Sequence, residues 1–138
     1  MAQVFRTERK IRFSHCDPAG IVYFVHFFDM VSGAVEDWFD GAIGFNFNEM
    51  HIQRRVGFPI VNTGCEFFKP CHLGDVLVLE LSIARLGRSS IEFSIRGRVG
   101  VEEKFLARHK VAMMSLDTLK SLPIPGDLRA KMEPYAEA

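Results

Sequence analysis

The sequence predicts an α+β domain in which an antiparallel sheet of about five strands carries one long helix on a face. Three observations lead there. Residues from about Phe24 to Gly41 repeat apolar side chains at helical spacing, the stretches after Val56 read as strands, and the turns joining those strands are short enough for antiparallel neighbours. The chain has 138 residues, 48% hydrophobic and 25% charged, which fits one core and a single domain, residues 1–138.

The first element is a half-buried strand within Gln3–Phe13, its apolar positions being Phe5, Ile11 and Phe13. Asp17-Pro18-Ala19-Gly20 then turns the chain, because Pro18 biases Asp17 toward extended backbone and Gly20 tolerates a positive φ. Asp17 therefore sits where a strand gives way to a loop. Beyond it, Phe27, Phe28, Val31, Ala34, Val35, Trp38 and Phe39 make the wide apolar stripe of the central helix, which needs a broad surface to pack on.

An aromatic connection holding Phe45 and Phe47, with a short helix near Asn48 to Gln53, leads into the sheet. Val56–Phe68 reads as a strand that Pro59 and Gly64 mark as an edge, a bulge or a bend. After a turn at Cys71-His72-Leu73-Gly74-Asp75, Val76–Leu86 is a strand with Leu77, Leu79, Leu81 and Ile83 on one face, closed by a tight connection at Gly87-Arg88. Ile91, Phe93, Ile95 and Val99 alternate with Ser90, Glu92, Ser94, Arg96 and Arg98, the sign of one wet face. A last strand runs from Phe105 to Leu116. Packing the helix on one side leaves the sheet's outer face and edges to a partner subunit.

Several function classes are disfavoured by composition. Lys plus Arg equals Asp plus Glu at 17 each, so no overall positive field attracts nucleic acid or an anionic membrane. The first ten residues lack the apolar run of a signal peptide, and no stretch reaches the roughly 18 apolar residues of a membrane span, so a cytoplasmic protein is expected. Cys16, Cys65 and Cys71 are too few and too odd in number for a disulfide framework and read as reduced thiols. Gly41, Gly44 and Gly57 are too scattered for a nucleotide loop, and no G-x-S-x-G elbow is present. Cys65, Cys71, His72 and His51 lack metal-ligand spacing, so neither metal nor cofactor is expected.

The stretch Phe13 to Tyr23 places an acid immediately before a helix start, where free backbone N–H groups bind an oxyanion. Thioester hydrolysis needs a carboxylate that attacks the carbonyl or activates water, and donors that hold the resulting negative oxygen. Asp17 and the helix N-terminus supply both. The same Asp-Pro pattern also fits a plain turn or an N-cap. His15, two residues before Asp17, would share its side of an extended strand, although a plain surface or core histidine fits equally. Cys16 would point the other way and reads as a packed thiol.

The run Cys16-Asp17-Pro18-Ala19-Gly20-Ile21-Val22-Tyr23, with the long helix after it, resembles the active-site segment of the 4-hydroxybenzoyl-CoA thioesterase family, a branch of the hotdog-fold thioesterases. The resemblance continues through Gly57-Phe58-Pro59-Ile60-Val61 and Gly74-Asp75-Val76-Leu77. It implies a hotdog fold, a sheet wrapped around its helix, with Asp17 as the catalytic carboxylate and the Phe24 N–H polarising the thioester carbonyl. It also implies acyl-CoA contacts at Phe58, Pro59 and Ile60 and at Gly87, Arg88 and Ser89, completed by a partner subunit, with Phe47 lining the acyl pocket. A homodimer joined by one continuous sheet, assembling into a homotetramer, goes with it.

Two departures, His15 where the hydroxybenzoyl enzyme has an acid and Arg88 alone where it has a basic cluster, imply a different acyl group. CoA phosphates favour arginine contacts at an exposed turn, for which Arg85, Arg88, Arg96 and Arg98 are available, while Arg96 and Arg98 also fit a solvated strand face. The expected function is therefore hydrolysis of an aromatic or short- to medium-chain acyl-CoA to acid and CoA. A hotdog hydratase or dehydratase using His15 with Asp17, or a non-catalytic acyl-thioester binder, are the alternatives.

Overall fold

The central helix forms where its apolar spacing predicts. In the computed structural model, which describes residues 2–137, helix α1 (Val25–Trp38) buries Phe27, Met30, Val31, Ala34, Val35 and Trp38 along one face. A wider π turn, Phe39–Ile43, prolongs it until Gly44 ends it at φ 73°. A strand β1 (Phe5–Lys10) precedes α1, and β2 (Val56–Gly57), β3 (Ile60–Phe67), β4 (Val76–Leu86), β5 (Ser90–Val99), β6 (Glu102–Ala112), β7 (Met114–Ser115) and helix α2 (Gly126–Met132) follow.

The main sheet has five strands in the order β1-β4-β5-β6-β3, every neighbour antiparallel. Its inner face, including Leu77, Leu79, Leu81, Ile83, Ile91, Phe93 and Ile95, is fully buried in the same core as α1. One sheet around one long helix is the hotdog arrangement. Its outer face is polar: Glu80 accepts from Arg6 at 2.7 Å and from Arg98 at 2.9 Å, and Arg96 pairs with Glu103 at 3.1 Å. The Arg98 hydrogen bond, then that from Arg6, holds the Glu80 carboxyl below its ordinary range. Arg96 and Arg98 thus belong to a solvated strand face. Among the described residues no helix is long and apolar enough to cross a membrane.

Three elements differ from expectation. The first strand stops at Lys10: the Ile11 N–H still donates to the Asp75 carbonyl in register at 2.8 Å, but residues Phe13–His15 coil into a 3-10 turn. Ile11 is buried as expected, but Phe13 is 82% exposed. The strand expected over Val56–Phe68 divides at Phe58-Pro59 into β2 and β3, and β3 is an edge with a bulge between Ile60 and Asn62. The last strand begins earlier, at Glu102, and also divides: β6 ends at Ala112, while Met114–Ser115 changes partner to pair with β2. Past Leu116, where the pattern assigned nothing, α2 buries Leu128 and Met132, and Tyr135 meets the Trp38 ring at 5.8 Å.

Gly97 is a close-packing position. It lies opposite Phe105 in the β5–β6 register, and a Cβ there would fall 2.2 Å from the Phe105 ring. That ring is fully buried and packs on Phe27 at 5.1 Å, so it has little room to retreat. Gly97→Ala is therefore expected to destabilise the protein by about 1–3 kcal/mol, despite alanine's entropic advantage. Thermal unfolding measures it; an unchanged midpoint would contradict the packing.

His109 on β6 is buried, and its Nδ1 lies 3.0 Å from the Thr63 hydroxyl on β3. Burial lowers its pKa from the ordinary 6.5. The unfolded chain therefore takes up the proton first as pH falls, so this contribution to stability is intact above about pH 6.5 and is lost below it. The drop in unfolding midpoint between pH 7.5 and 5.5 should shrink in His109→Gln, and an undiminished drop would refute the assignment.

Candidate active site

Asp17 stands in a tight loop closed by an antiparallel bridge between Cys16 and Val22. The Asp17 N–H donates to the Ile21 carbonyl at 2.9 Å, the Gly20 N–H donates to the Asp17 carbonyl at 3.0 Å, and Gly20 takes φ 80° as its position requires. The Ala19 N–H donates to Asp17 Oδ1 at 2.8 Å, which fixes the carboxylate and leaves Oδ2 without a partner among the described residues. The half-buried acid opens on a depression of about 450 Å³, lined also by Phe13, Cys16, Pro18, Gly20 and Leu73.

The loop is clamped from behind. Val22 N–H donates to the Cys71 carbonyl at 2.9 Å and Leu73 N–H to the Gly20 carbonyl at 3.1 Å. The Cys71 segment is itself held by the buried Lys104, whose ammonium donates to the Pro70 carbonyl at 3.0 Å and pairs with Glu102. Hydrogen bonds from Lys104 and Lys69 push the Glu102 carboxyl down to about 2.

Helix α1 starts immediately after this loop. Tyr23 N–H is used by the His15 carbonyl at 3.0 Å, and His26 and Phe27 N–H donate to Tyr23 and Phe24 carbonyls, each at 3.0 Å. The N–H groups of Phe24 and Val25 have no acceptor among the described residues, and no side chain caps the helix. A fixed carboxylate with a free oxygen and two open helix N–H groups are the two parts that thioester cleavage requires.

His15 lies in the 3-10 turn, so the extended geometry expected to align it with Asp17 is absent. Its Nδ1 accepts the Arg12 N–H at 2.9 Å, its ring centroid is 5.6 Å from that of His26, and burial, then the His26 and Arg12 charges, lowers its pKa. Cys16 donates to the Arg12 carbonyl at 3.5 Å and packs against the core. Burial pushes the Cys65 and Cys71 thiols up to about 11, which keeps them protonated and poorly nucleophilic. Among the described residues no group of three or more His, Cys, Asp or Glu side chains is placed to hold a metal ion.

The remaining candidate residues gather elsewhere. Ala112 N–H at the end of β6 donates to the Pro59 carbonyl at 3.1 Å, and the next residue, Met113, donates to the Ser89 carbonyl at 2.7 Å. Phe58-Pro59-Ile60 and Gly87-Arg88-Ser89 thus lie together. Phe47 and Phe58 both pack on the Phe39 ring, at 5.9 Å and 4.9 Å, and Phe47 borders a recess with Asp40, Asn46 and Glu49 rather than the Asp17 depression. The Asp17 loop sits at the β4 start, near Cys71 and Asp75, whereas Gly87 follows the β4 end; at about 3.4 Å per residue β4 separates the two groups by roughly 30 Å. One chain does not bring them together.

Residues 11–132 match the sequence profile of the thioesterase-like superfamily. The chain belongs to that superfamily. A 1,4-dihydroxy-2-naphthoyl-CoA hydrolase of Nostoc punctiforme is 29% identical to this thioesterase-like chain over 121 residues, covering 86% of the chain and 81% of the relative. A thioesterase-superfamily structure from Jannaschia sp. is similar with a TM-score of 0.91 at 26% identity, covering 98% of this chain and 94% of that one. A 1,4-dihydroxy-2-naphthoyl-CoA thioesterase from Synechocystis gives a TM-score of 0.84 at 23% identity over 94% and 96% of the two chains, a likeness of fold.

Two charged residues of this thioesterase-like chain had no sequence signal. Lys104 precedes Phe105 in a strand and would face solvent by alternation, yet a register shift at Gly97/Arg98 in the β5–β6 pairing lets both be buried. Arg129 lies on α2, which the periodicity did not mark, and its guanidinium reaches the Gly87 and Arg88 carbonyls.

Proposed function

We propose that this chain hydrolyses an aromatic acyl-CoA to the free acid and CoA, in the manner of the 4-hydroxybenzoyl-CoA thioesterase branch of its superfamily. The observation that carries the reading is the free Asp17 carboxylate oxygen, held rigidly just ahead of two unpaired helix N–H groups. Asp17 acts either by attacking the thioester carbon, giving an anhydride that water opens, or by taking a proton from the attacking water. The Phe24 N–H stabilises the oxyanion while the C–S bond breaks and CoA leaves as its thiol. Exposed Phe13, Tyr23, Phe24 and Leu73 near the acid suit a flat aromatic acyl group, and the curated relative acts on one.

Phe58, Pro59, Ile60, Gly87, Arg88 and Ser89 serve this site from a second copy. β3 is an unpaired edge whose Ile60 and Val61 are 52% and 55% exposed, and two-fold pairing with its own copy is antiparallel. Such pairing sets the Phe67 end of one strand beside the Ile60 end of the other. Phe67 meets Phe27 of α1 at 5.6 Å, so the Asp17 end of one subunit then faces the Pro59 and Arg88 end of its partner. A cytoplasmic homodimer, doubling to a homotetramer, completes the proposal, with Phe47, which shares the Phe39 ring with Phe58, lining the acyl pocket from the second copy.

The deciding experiment mixes the protein with 1,4-dihydroxy-2-naphthoyl-CoA, benzoyl-CoA and aliphatic acyl-CoAs and follows free thiol and product mass. Free thiol with an equal amount of acid, fastest from the aromatic thioesters, supports hydrolysis. A hydrated or dehydrated acyl-CoA with no thiol would replace it with the hydratase reading, and binding without turnover with a non-catalytic role.

A further inference from the structure

We propose that Arg129 of α2 is a positioning residue for CoA: it orients the Gly87-Arg88-Ser89 turn so that this turn presents its backbone N–H groups to the CoA phosphates. The inference rests on the acyl-CoA reading above and assigns a role to a residue outside the site so far described.

The carbonyls of this turn are all drawn inward. Arg129 Nη2 donates to the Gly87 carbonyl at 2.5 Å and to the Arg88 carbonyl at 3.2 Å. The Ile124 N–H donates to the same Arg88 carbonyl at 2.9 Å, and the Met113 N–H to the Ser89 carbonyl at 2.7 Å. In a trans peptide the C=O and the following N–H point in opposite directions, and the described residues contain no cis peptide. Pulling the Gly87 and Arg88 carbonyls in therefore turns the Arg88 and Ser89 N–H groups out, and neither has an acceptor among the described residues. Two adjacent free N–H groups beside an exposed Arg88 side chain form a donor set for a phosphate.

Arg129 is placed for this work. It is half-buried, its Nη2 donates to both carbonyls, and no carboxylate pairs with it among the described residues. Leu128 and Met132, buried on either side, pin the helix that carries it. A charged donor on a carbonyl makes a stronger bond than a neutral one, and its field through the peptide also favours an anion on the outward N–H groups.

The test measures CoA and pantetheine binding by calorimetry for wild type, Arg129→Met and Arg129→Lys, with KM and kcat on acyl-CoA and on the matching acyl-pantetheine, which lacks the phosphates. Arg129→Met is expected to weaken CoA binding and raise KM for acyl-CoA about tenfold, with kcat within about twofold and pantetheine affinity unchanged. Arg129→Lys, which keeps a charge and one donor, should recover part of the loss. Unchanged CoA affinity in a folded Arg129→Met protein, or equal losses for CoA and pantetheine, would overturn the role. Should Arg129→Met not fold, full CoA affinity in Arg129→Lys would overturn it and an intermediate loss confined to CoA would uphold it. A wild type that binds CoA without hydrolysis refutes the enzyme reading while leaving the binding comparison able to decide this one.

Discussion

Val61→Lys is expected to leave the chain folded but monomeric and to lower thiol release about a hundredfold, the scale of loss when reacting groups are no longer held together. Val61 lies on the exposed edge of β3, where Glu66 is the one charged residue in eight, so little there resists pairing with another strand. A lysine on such an edge is the device by which monomeric sheet proteins block it. Because Asp17 and the Arg88 turn stand at opposite ends of the sheet, a chain unable to pair would keep its acid and lose the contacts proposed to come from the partner. Sedimentation and thiol release on the same sample test both halves. A monomer with full activity would show that the site is complete within one chain, and an intact dimer with full activity would place the interface elsewhere.

Asp17→Asn is expected to reduce kcat by about two to four orders of magnitude while KM and the unfolding midpoint stay near wild type. The amide is nearly the same size and can still accept the Ala19 N–H, so the loop should close as before. What disappears is the negative oxygen proposed to attack the thioester or to take a proton from water. A fall in stability with proportional loss of activity would instead mark Asp17 as a turn residue, the role its hydrogen bond to Ala19 also fits.

The architecture was legible because burial follows periodicity. The helix stripe and the alternating Leu77 to Ile83 face are dictated by which side chains water rejects, and both are buried except for Phe28, which is only partly covered. The edge expected of this strand is present, but its irregularity lies at the Pro59 break and the Ile60/Asn62 bulge, while Gly64 pairs in regular register with Arg108. What escaped depends on particular hydrogen bonds with no periodic trace. Phe13 leaves the sheet because Arg12 and His15 tie a local turn, and that turn removes the alignment of His15 with Asp17. The helix α2 is short and follows Pro123 and Pro125, so its few apolar residues made no readable stripe. The placement of Asp17 before a helix start was visible from Pro18 and Gly20, whereas its free oxygen and the open Phe24 N–H depend on which neighbouring groups the fold leaves unbonded. The length of β4 was legible, whereas the docking of the Asp17 loop at its start, through the Val22 to Cys71 and Leu73 to Gly20 hydrogen bonds, was hidden, and with it the distance to the Arg88 turn.

The most direct measurement is the initial rate of free thiol release from benzoyl-CoA or 1,4-dihydroxy-2-naphthoyl-CoA by the purified wild-type protein, with Asp17→Asn at the same concentration beside it. The account predicts a saturable release in the wild type, matched mole for mole by free acid and nearly abolished in the amide variant. Equal rates in the two proteins would contradict it.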